Sequence, residues 1–212
     1  GDNWRVGFMD MQTQGNTDLY STNFSVASVQ RQVFKRSSVS AFIVNRQMVQ
    51  NPFGDKILNK NFNRVAGIEF NLSSEDNKWT GKSFYHHSFD QGKAGKNGVF
   101  ANTLKYTTQY ISASLDQTWV GSDYQADVGY IRRQGYFQIS PEFQYKFFPS
   151  SIAIANHGPI IKSDIYLNNE GQLTDRDIQL QYQVTWLNKS AFKGDIKSTF
   201  VELPFTYDPS HT

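Results

Sequence analysis

The sequence predicts an all-β chain: an up-and-down antiparallel meander that forms a transmembrane outer-membrane β-barrel or part of one. Three observations carry that expectation. Residues 178 to 186 read IQLQYQVTW, in which Ile178, Leu180, Tyr182, Val184 and Trp186 alternate with Gln179, Gln181, Gln183 and Thr185. A strand here has one apolar face and one uncharged polar face. No stretch carries a 3.6-residue apolar period with caps, so helices are not expected. Most candidate strands reach ten residues, beyond the ~5 to 6 of soluble strands and close to the ~9 to 11 of a tilted strand crossing a bilayer.

Eleven strands are expected in chain order. The first, 4–13, sets Trp4, Val6 and Phe8 against Arg5. The next two, 23–33 and 38–47, meet at the tight FKRS and alternate poorly: Val29 and Val33 share a face with Arg31, and Phe42 and Val44 share one with Arg46. After the long MVQNPFGDKILNK (48–60), strands 61–72 and 78–89 meet at SSEDN. After DQGKAGKN (90–97), strands 98–106 and 110–120 meet at TTQ, the second setting Ile111, Ala113 and Leu115 against Ser112, Ser114 and Asp116. A long connection, 121–135, leads to strands 136–147 and 152–167 around FPSS, and then to 174–187 and 192–202 through NNEGQL and NKSA. His157-Gly158-Pro159 is expected to bend its strand.

Long and short connections alternate along this series, so a meander would gather the long ones at one rim and the short ones at the other. Outer-membrane barrels have that asymmetry; a Greek-key sandwich gives no reason for it. No repeat or low-complexity linker interrupts the chain, and residues 1–212 read as one β-barrel domain. The abrupt start at Gly1-Asp2-Asn3, the odd strand count and an end in Asp208-Pro209-Ser210-His211-Thr212 without a terminal aromatic point to a fragment of a longer barrel.

Composition narrows the partners. The net charge is +2, from 21 basic and 19 acidic residues, with no like-charged block longer than Arg132-Arg133, so nucleic acid is not an expected partner. The absence of cysteine removes disulfides and thiolate metal sites. No run approaches the ~18 apolar residues of a membrane helix.

Candidate functional residues follow from the barrel geometry. Arginine facing lipid at the bilayer midplane costs ~2 to 4 kcal/mol, so Arg31, Arg46, Arg64, Arg132 and Arg133 should face inward or lie at the rims. Arg46, Glu69, Arg132 and Arg133 are the candidate lumen or rim residues, with Glu69, Asp116 and Glu202 offsetting the positive charge. Trp4, Trp79, Trp119 and Trp186 stand near strand ends, where an indole can face headgroups with its N–H and hydrocarbon with its ring. They are the candidate aromatic girdle; in the alternative they stack on sugar rings. His86 and His87 are adjacent in a strand, point to opposite faces and cannot ligate one metal.

Glu69, Glu142, Asp164 and Glu202 fall on different strands, and a glycosidase pair would need two of them ~5 to 10 Å apart. There is no G-x-S-x-G and no phosphate-cradling glycine pattern. Asp175-Arg176-Asp177 reads as a solvated strand start with local ion pairs. No catalytic residue, metal site or cofactor is assigned, and the chain is not expected to be an enzyme.

WRVGFMDMQTQG, NFSVASVQRQVFKRSSVSAFIVNRQ, VGYIRRQGY, YKFFPSS, NHGPII and YLNNEGQLTDRDIQLQY together resemble a bacterial family catalogued as domain of unknown function 5916. The most specific pieces are Met11-Gln12-Thr13, Arg36-Ser37-Ser38, Asn45-Arg46-Gln47 and Gly129-Tyr130-Ile131-Arg132-Arg133. The resemblance runs from Trp4 to about Phe205. It implies a C-terminal outer-membrane barrel of a Gram-negative bacterium, preceded in the family by a signal peptide and a carbohydrate-binding family 9-like module. It brings no catalytic residues.

The expected function is that of an outer-membrane barrel acting as a pore, a receptor or an anchor for a periplasmic sugar-binding module. Its partners would be the lipid bilayer and a glycan or peptide ligand. The alternative is a soluble secreted β-sandwich that binds polysaccharide through exposed aromatics; a glycan hydrolase comes third. The first two differ in what touches Ile178, Leu180 and Tyr182: hydrocarbon in one, a protein core in the other.

Overall fold

The computed structural model describes residues 3–15, 21–49, 62–90 and 95–202. Those residues form eleven strands and no helix: β1 (Trp4–Thr13), β2 (Thr22–Val33), β3 (Ser37–Met48), β4 (Phe62–Ser73), β5 (Trp79–Asp90), β6 (Gly98–Thr107), β7 (Ile111–Val120), β8 (Tyr136–Tyr145), β9 (Ile154–Asn168), β10 (Leu173–Trp186) and β11 (Ala191–Val201). They hydrogen-bond in chain order, β1 to β11, as an antiparallel up-and-down meander. The expected strands are all present, each boundary within two residues of its place.

The connections obey the expected alternation through the first seven and then depart from it. Between β8 and β9 the stretch 146–153 is longer than the 169–172 stretch that follows β9. The reason is local: β8 ends at Tyr145, and only an isolated bridge between Phe147 and His157 carries the pairing further. Parts of the long connections, 16–20, 50–61 and 91–94, lie outside the described residues, as does the Asp208–Thr212 end. The expected bend at His157-Gly158-Pro159 is absent. These residues continue β9 in unbroken register with Val184, Gln183 and Tyr182 of β10. Gly158 suits this place because a Cβ would collide with the Tyr145 carbonyl oxygen.

Two compact units divide the chain: 1–104 with 118–136, and 105–117 with 137–212. In the first, register fixes which side chains share a face, because directly paired residues point the same way. Val6, Val29, Ala41, Ile68 and Tyr85 make one cross-strand row on one face of β1–β5, and Phe8, Ala27, Ile43, Ala66 and His87 make the next. The opposite face carries Met9, Val26, Val44, Val65 and Ser88 in one row and Gly7, Ser28, Phe42, Gly67 and His86 in another.

The buried core of this unit lies on that second face. Val65, Val99, Val120 and Tyr124 are buried together, with Phe42, Phe84, Ala126, Ile131 and Tyr136 packed around them. Three of these, Tyr124, Ala126 and Ile131, belong to the 121–135 connection. That segment therefore lies back on the sheet.

In the second unit, Leu180 pairs with Ile161 and Ile196, and Val184 with His157 and Phe192, on one face. Gln179 pairs with Lys162 and Lys197, and Asp177 with Asp164 and Thr199, on the other.

Candidate functional site

Water-soluble sheets hide their apolar face and expose their polar one; β10 of the second unit does the reverse, and the first unit leaves an apolar face exposed although it buries a core on the other. In β10, Ile178, Leu180 and Tyr182 are 42%, 52% and 45% exposed, while Gln179, Gln181 and Gln183 between them are half-buried. Neighbouring β11 adds exposed Phe192, Ile196 and Phe200, and β9 adds Ile161. In the first unit Val6, Phe8, Val29, Ile43, Ile68 and Tyr85 are exposed. Contiguous apolar surface of this kind marks a face that meets something other than water.

Polar groups border the apolar rows of the first unit. Asp10, Ser25, Asn45 and Arg64 form the adjoining row. There the Arg64 Nε donates to Asn45 Oδ1 at 2.9 Å, and the Asn23 amide donates to Asp10 at 2.9 Å. Arg64 also lies over the Phe62 ring, with 4.6 Å between guanidinium carbon and ring centroid. Toward the other end of the same face, the Arg31 guanidinium carbon sits 5.1 Å from the Trp4 ring centroid. Both arginines share the apolar face, but each is two residues from the end of its strand.

The covered face of the first unit is bound to the 121–135 connection by polar contacts as well as by the core. Asn63, buried at the start of β4, donates from Nδ2 to the Gln125 carbonyl at 3.0 Å, and its Oδ1 accepts the Asp127 N–H at 3.0 Å. The fully buried Ser88 accepts the Gln125 N–H at 3.0 Å. Arg46 donates to Asp127 at 3.0 Å, and Gln134 donates to the Tyr124 carbonyl. The segment 128–130 stays exposed, ending in Tyr130.

Farther along that face Glu69 accepts from Lys82 at 2.9 Å and lies 3.2 Å from His86 Nε2. The His86 ring stacks on Phe84, 4.4 Å between centroids, and covers Gly67, where a Cβ would strike it. Burial raises the phenol pKa of Tyr124 above its ordinary value.

The polar face of the second unit is a charge lattice. Asp177 and Asp164 stand directly opposite each other. Like charges so placed repel, and each is compensated: Lys197 reaches Asp177 at 3.0 Å, and Gln138 donates to Asp164 at 2.7 Å. Lys162 pairs with Glu142 at 3.1 Å, and Gln179 donates to Asp195 at 3.0 Å. A cleft lined by Ser114, Asp116, Glu142, Asp164, Asp177 and both lysines opens on this face.

Of the four candidate lumen or rim residues, Arg46 and Glu69 share the covered face of the first unit. Arg132 and Arg133 lie in the connection, exposed, with Arg133 over the Tyr136 ring. The tryptophans stand at strand ends: Trp4 and Trp79 begin β1 and β5, Trp119 is next to last in β7, and Trp186 ends β10. Trp119 flanks Gly98 together with Tyr85 of the apolar face. His86 and His87 point to opposite faces, the first to Glu69 and the second to Tyr85.

Asp177 forms no local ion pair of the expected kind: it pairs with Lys197 of the neighbouring strand and lies inside the β10 ladder rather than in a solvated start. Sequence reasoning missed Asn63, Ser88 and Asp127. The one signal available was the poor alternation of β3, where Phe42 and Val44 share a face with Arg46 because that face is covered.

Among the described residues no group of three or more His, Cys, Asp or Glu side chains is placed to hold a metal, and no helix is long and apolar enough to cross a membrane. No family model matches the chain, and neither does any curated protein or solved structure.

Proposed function

We propose that this chain is the wall of a bacterial outer-membrane β-barrel. Its apolar face touches acyl chains, and its polar face lines a lumen. One observation supports this above the others: strands of 10 to 15 residues leave an apolar face exposed, and in β10 the glutamines that alternate with it are half-buried. In lipid the antiparallel ladder satisfies the backbone hydrogen bonds that no water would reach. The arginines of the apolar face lie near strand ends, where they can reach headgroups at little cost, and each of the four tryptophans stands at or next to a strand end, which a girdle would require. The likeness of WRVGFMDMQTQG and VGYIRRQGY to the barrel family described above supports the same reading.

Among pore, receptor and anchor, receptor or anchor is favoured. The 121–135 connection occupies the lumen-side face of the first unit through Tyr124, Asn63 and Arg46, which narrows any channel there. Specificity would reside in the connections, and a periplasmic sugar-binding module is the partner that the resemblance implies.

The test is folding of the chain into phospholipid vesicles whose acyl chains carry bromine. Strong quenching of tryptophan emission, together with a change of gel mobility on heating, is the expected result. A monodisperse, detergent-free monomer that binds soluble polysaccharide and loses that binding on Trp→Ala changes would overturn the reading in favour of a secreted glycan-binding sheet.

A further inference from the structure

We propose that the turn end of β1–β3 holds a binding site for a phosphate-type oxyanion, in the cavity bounded by Arg5, Gln30, Gln32, Lys35, Arg36 and Ser38. The cavity measures about 380 Å³, and no carboxylate lines it. Register builds it. Arg5 pairs with Gln30, and Gln30 with Ser40, so the Arg5 side chain shares their face. The short turn 34–36 then brings Lys35 and Arg36 to the end of the β2–β3 hairpin.

Side-chain hydrogen bonds organise the floor. Gln32 Nε2 donates to the Lys35 carbonyl at 2.7 Å, and Gln30 Nε2 donates to Ser38 Oγ at 2.9 Å. Ser37, buried, fixes the base of the turn: its Oγ accepts the Ser73 N–H at 3.1 Å and donates to the Ser73 carbonyl at 3.3 Å.

Charge decides the class of ligand. Glu75 lies 2.6 Å from Lys35 Nζ and neutralises that cation from outside the cavity. Arg5 and Arg36 remain, and among the described residues neither guanidinium forms an ion pair. Two uncompensated guanidinium groups on one cavity attract an anion, and their fork of N–H donors matches the oxygens of a phosphate. The surrounding amides and hydroxyls supply further polar partners, while an apolar ligand would find few walls. The site follows from geometry and charge in the first unit and goes beyond the membrane reading.

The probe is inorganic pyrophosphate, titrated calorimetrically into the folded full chain in phosphate-free buffer, with circular dichroism confirming that each variant folds. Saturable binding is expected. Arg5→Gln and Arg36→Gln should each weaken it at least about tenfold, because each removes a charge-assisted contact. Lys193→Gln, a change outside the cavity, should leave it unaltered.

A second arm repeats the titration with the chain in detergent micelles to which phosphatidylglycerol is added. Displacement of pyrophosphate identifies a lipid headgroup as the ligand, and failure to displace it identifies a soluble phosphate; both outcomes support the site. Absence of pyrophosphate binding, retention of it in the Arg5→Gln/Arg36→Gln double variant, or an equal loss in Lys193→Gln would overturn the proposal. None of these readouts bears on lipid contact by the apolar face, so failure here leaves the barrel reading to its own test.

Discussion

Ile68 and Glu69 are consecutive in β4, and their exposure runs opposite to their chemistry. Ile68 is 62% exposed, whereas the Glu69 side chain is 20% exposed and engaged by Lys82 and His86. A sheet in water would place the carboxylate outside. This inversion, repeated between Leu180 and Gln179 in β10, is the physical basis of the membrane proposal and supplies its sharpest mutational test.

Ile68→Arg and Leu180→Arg are expected to destabilise folding into phospholipid vesicles by ~2 to 4 kcal/mol, the cost of arginine against lipid near the midplane. Urea titration of folded protein in vesicles measures it. At a solvent-exposed site the same changes would stay within about 0.5 kcal/mol, so a null result at both positions counts against lipid contact.

Asn63→Ala should release the 121–135 connection locally. The change removes the Asn63 hydrogen bonds to the Gln125 carbonyl and the Asp127 N–H from a buried side-chain position, and losing hydrogen bonds at such a position costs ~1 to 3 kcal/mol. Hydrogen exchange reads the outcome: the Asp127 amide should lose protection while the Val65 amide in the strand keeps its own. The half-screened Arg46–Asp127 pair is worth less. A double-mutant cycle on it should return no more than about 1 kcal/mol of coupling.

Gly121→Ala should destabilise the fold by ~1 to 3 kcal/mol, the usual range for overpacking. Its Cβ would collide with the Lys96 carbonyl oxygen, which is backbone and has little freedom to retreat. Gly194→Ala is the matched control, because the nearest atom there is a Phe192 ring carbon at 3.6 Å. Thermal unfolding should separate the two, with a lower midpoint for Gly121→Ala alone.

Acid should spare the 74–78 turn longer than a free carboxylate would allow. The Lys78 ammonium, 2.9 Å from Asp76, holds its carboxyl at about 2 instead of the ordinary 3.8, aided by the Ser74 hydroxyl and the Lys78 N–H. Because the folded value is depressed, the stabilisation is present above pH 3.8 and is lost as pH falls through about 2. The Asp76 carboxyl carbon, followed by NMR, should titrate near pH 2; a midpoint at its ordinary value would show that these hydrogen bonds do not form in solution.

The strands were legible in the sequence because the side-chain period of two is a local property. IQLQYQVTW announces its two faces without reference to anything else in the chain, and Ser112, Ser114 and Asp116 do the same for β7. The turns were legible too, as SSEDN and NKSA are short and polar. One reading went astray for a non-local reason, and one irregularity has a non-local cause. His157-Gly158-Pro159 has the composition of a bend, yet pairing with Val184, Gln183 and Tyr182 and the close pass of the Tyr145 carbonyl hold it straight. The poor alternation of β3 is no defect either, because Phe42 packs beneath the returning connection while Val39 and Ile43 face outward.

By itself, then, the sequence determined strand number, strand length and, in strands such as β7 and β10, the split into an apolar and a polar face, since these depend only on neighbours in the chain. Tertiary structure alone decided which face stays uncovered and what lies on the other. Covering a face requires groups far apart in sequence, Asn63 with Asp127 or Lys35 with Glu75, to arrive at one place. That meeting depends on long-range packing that no local pattern encodes.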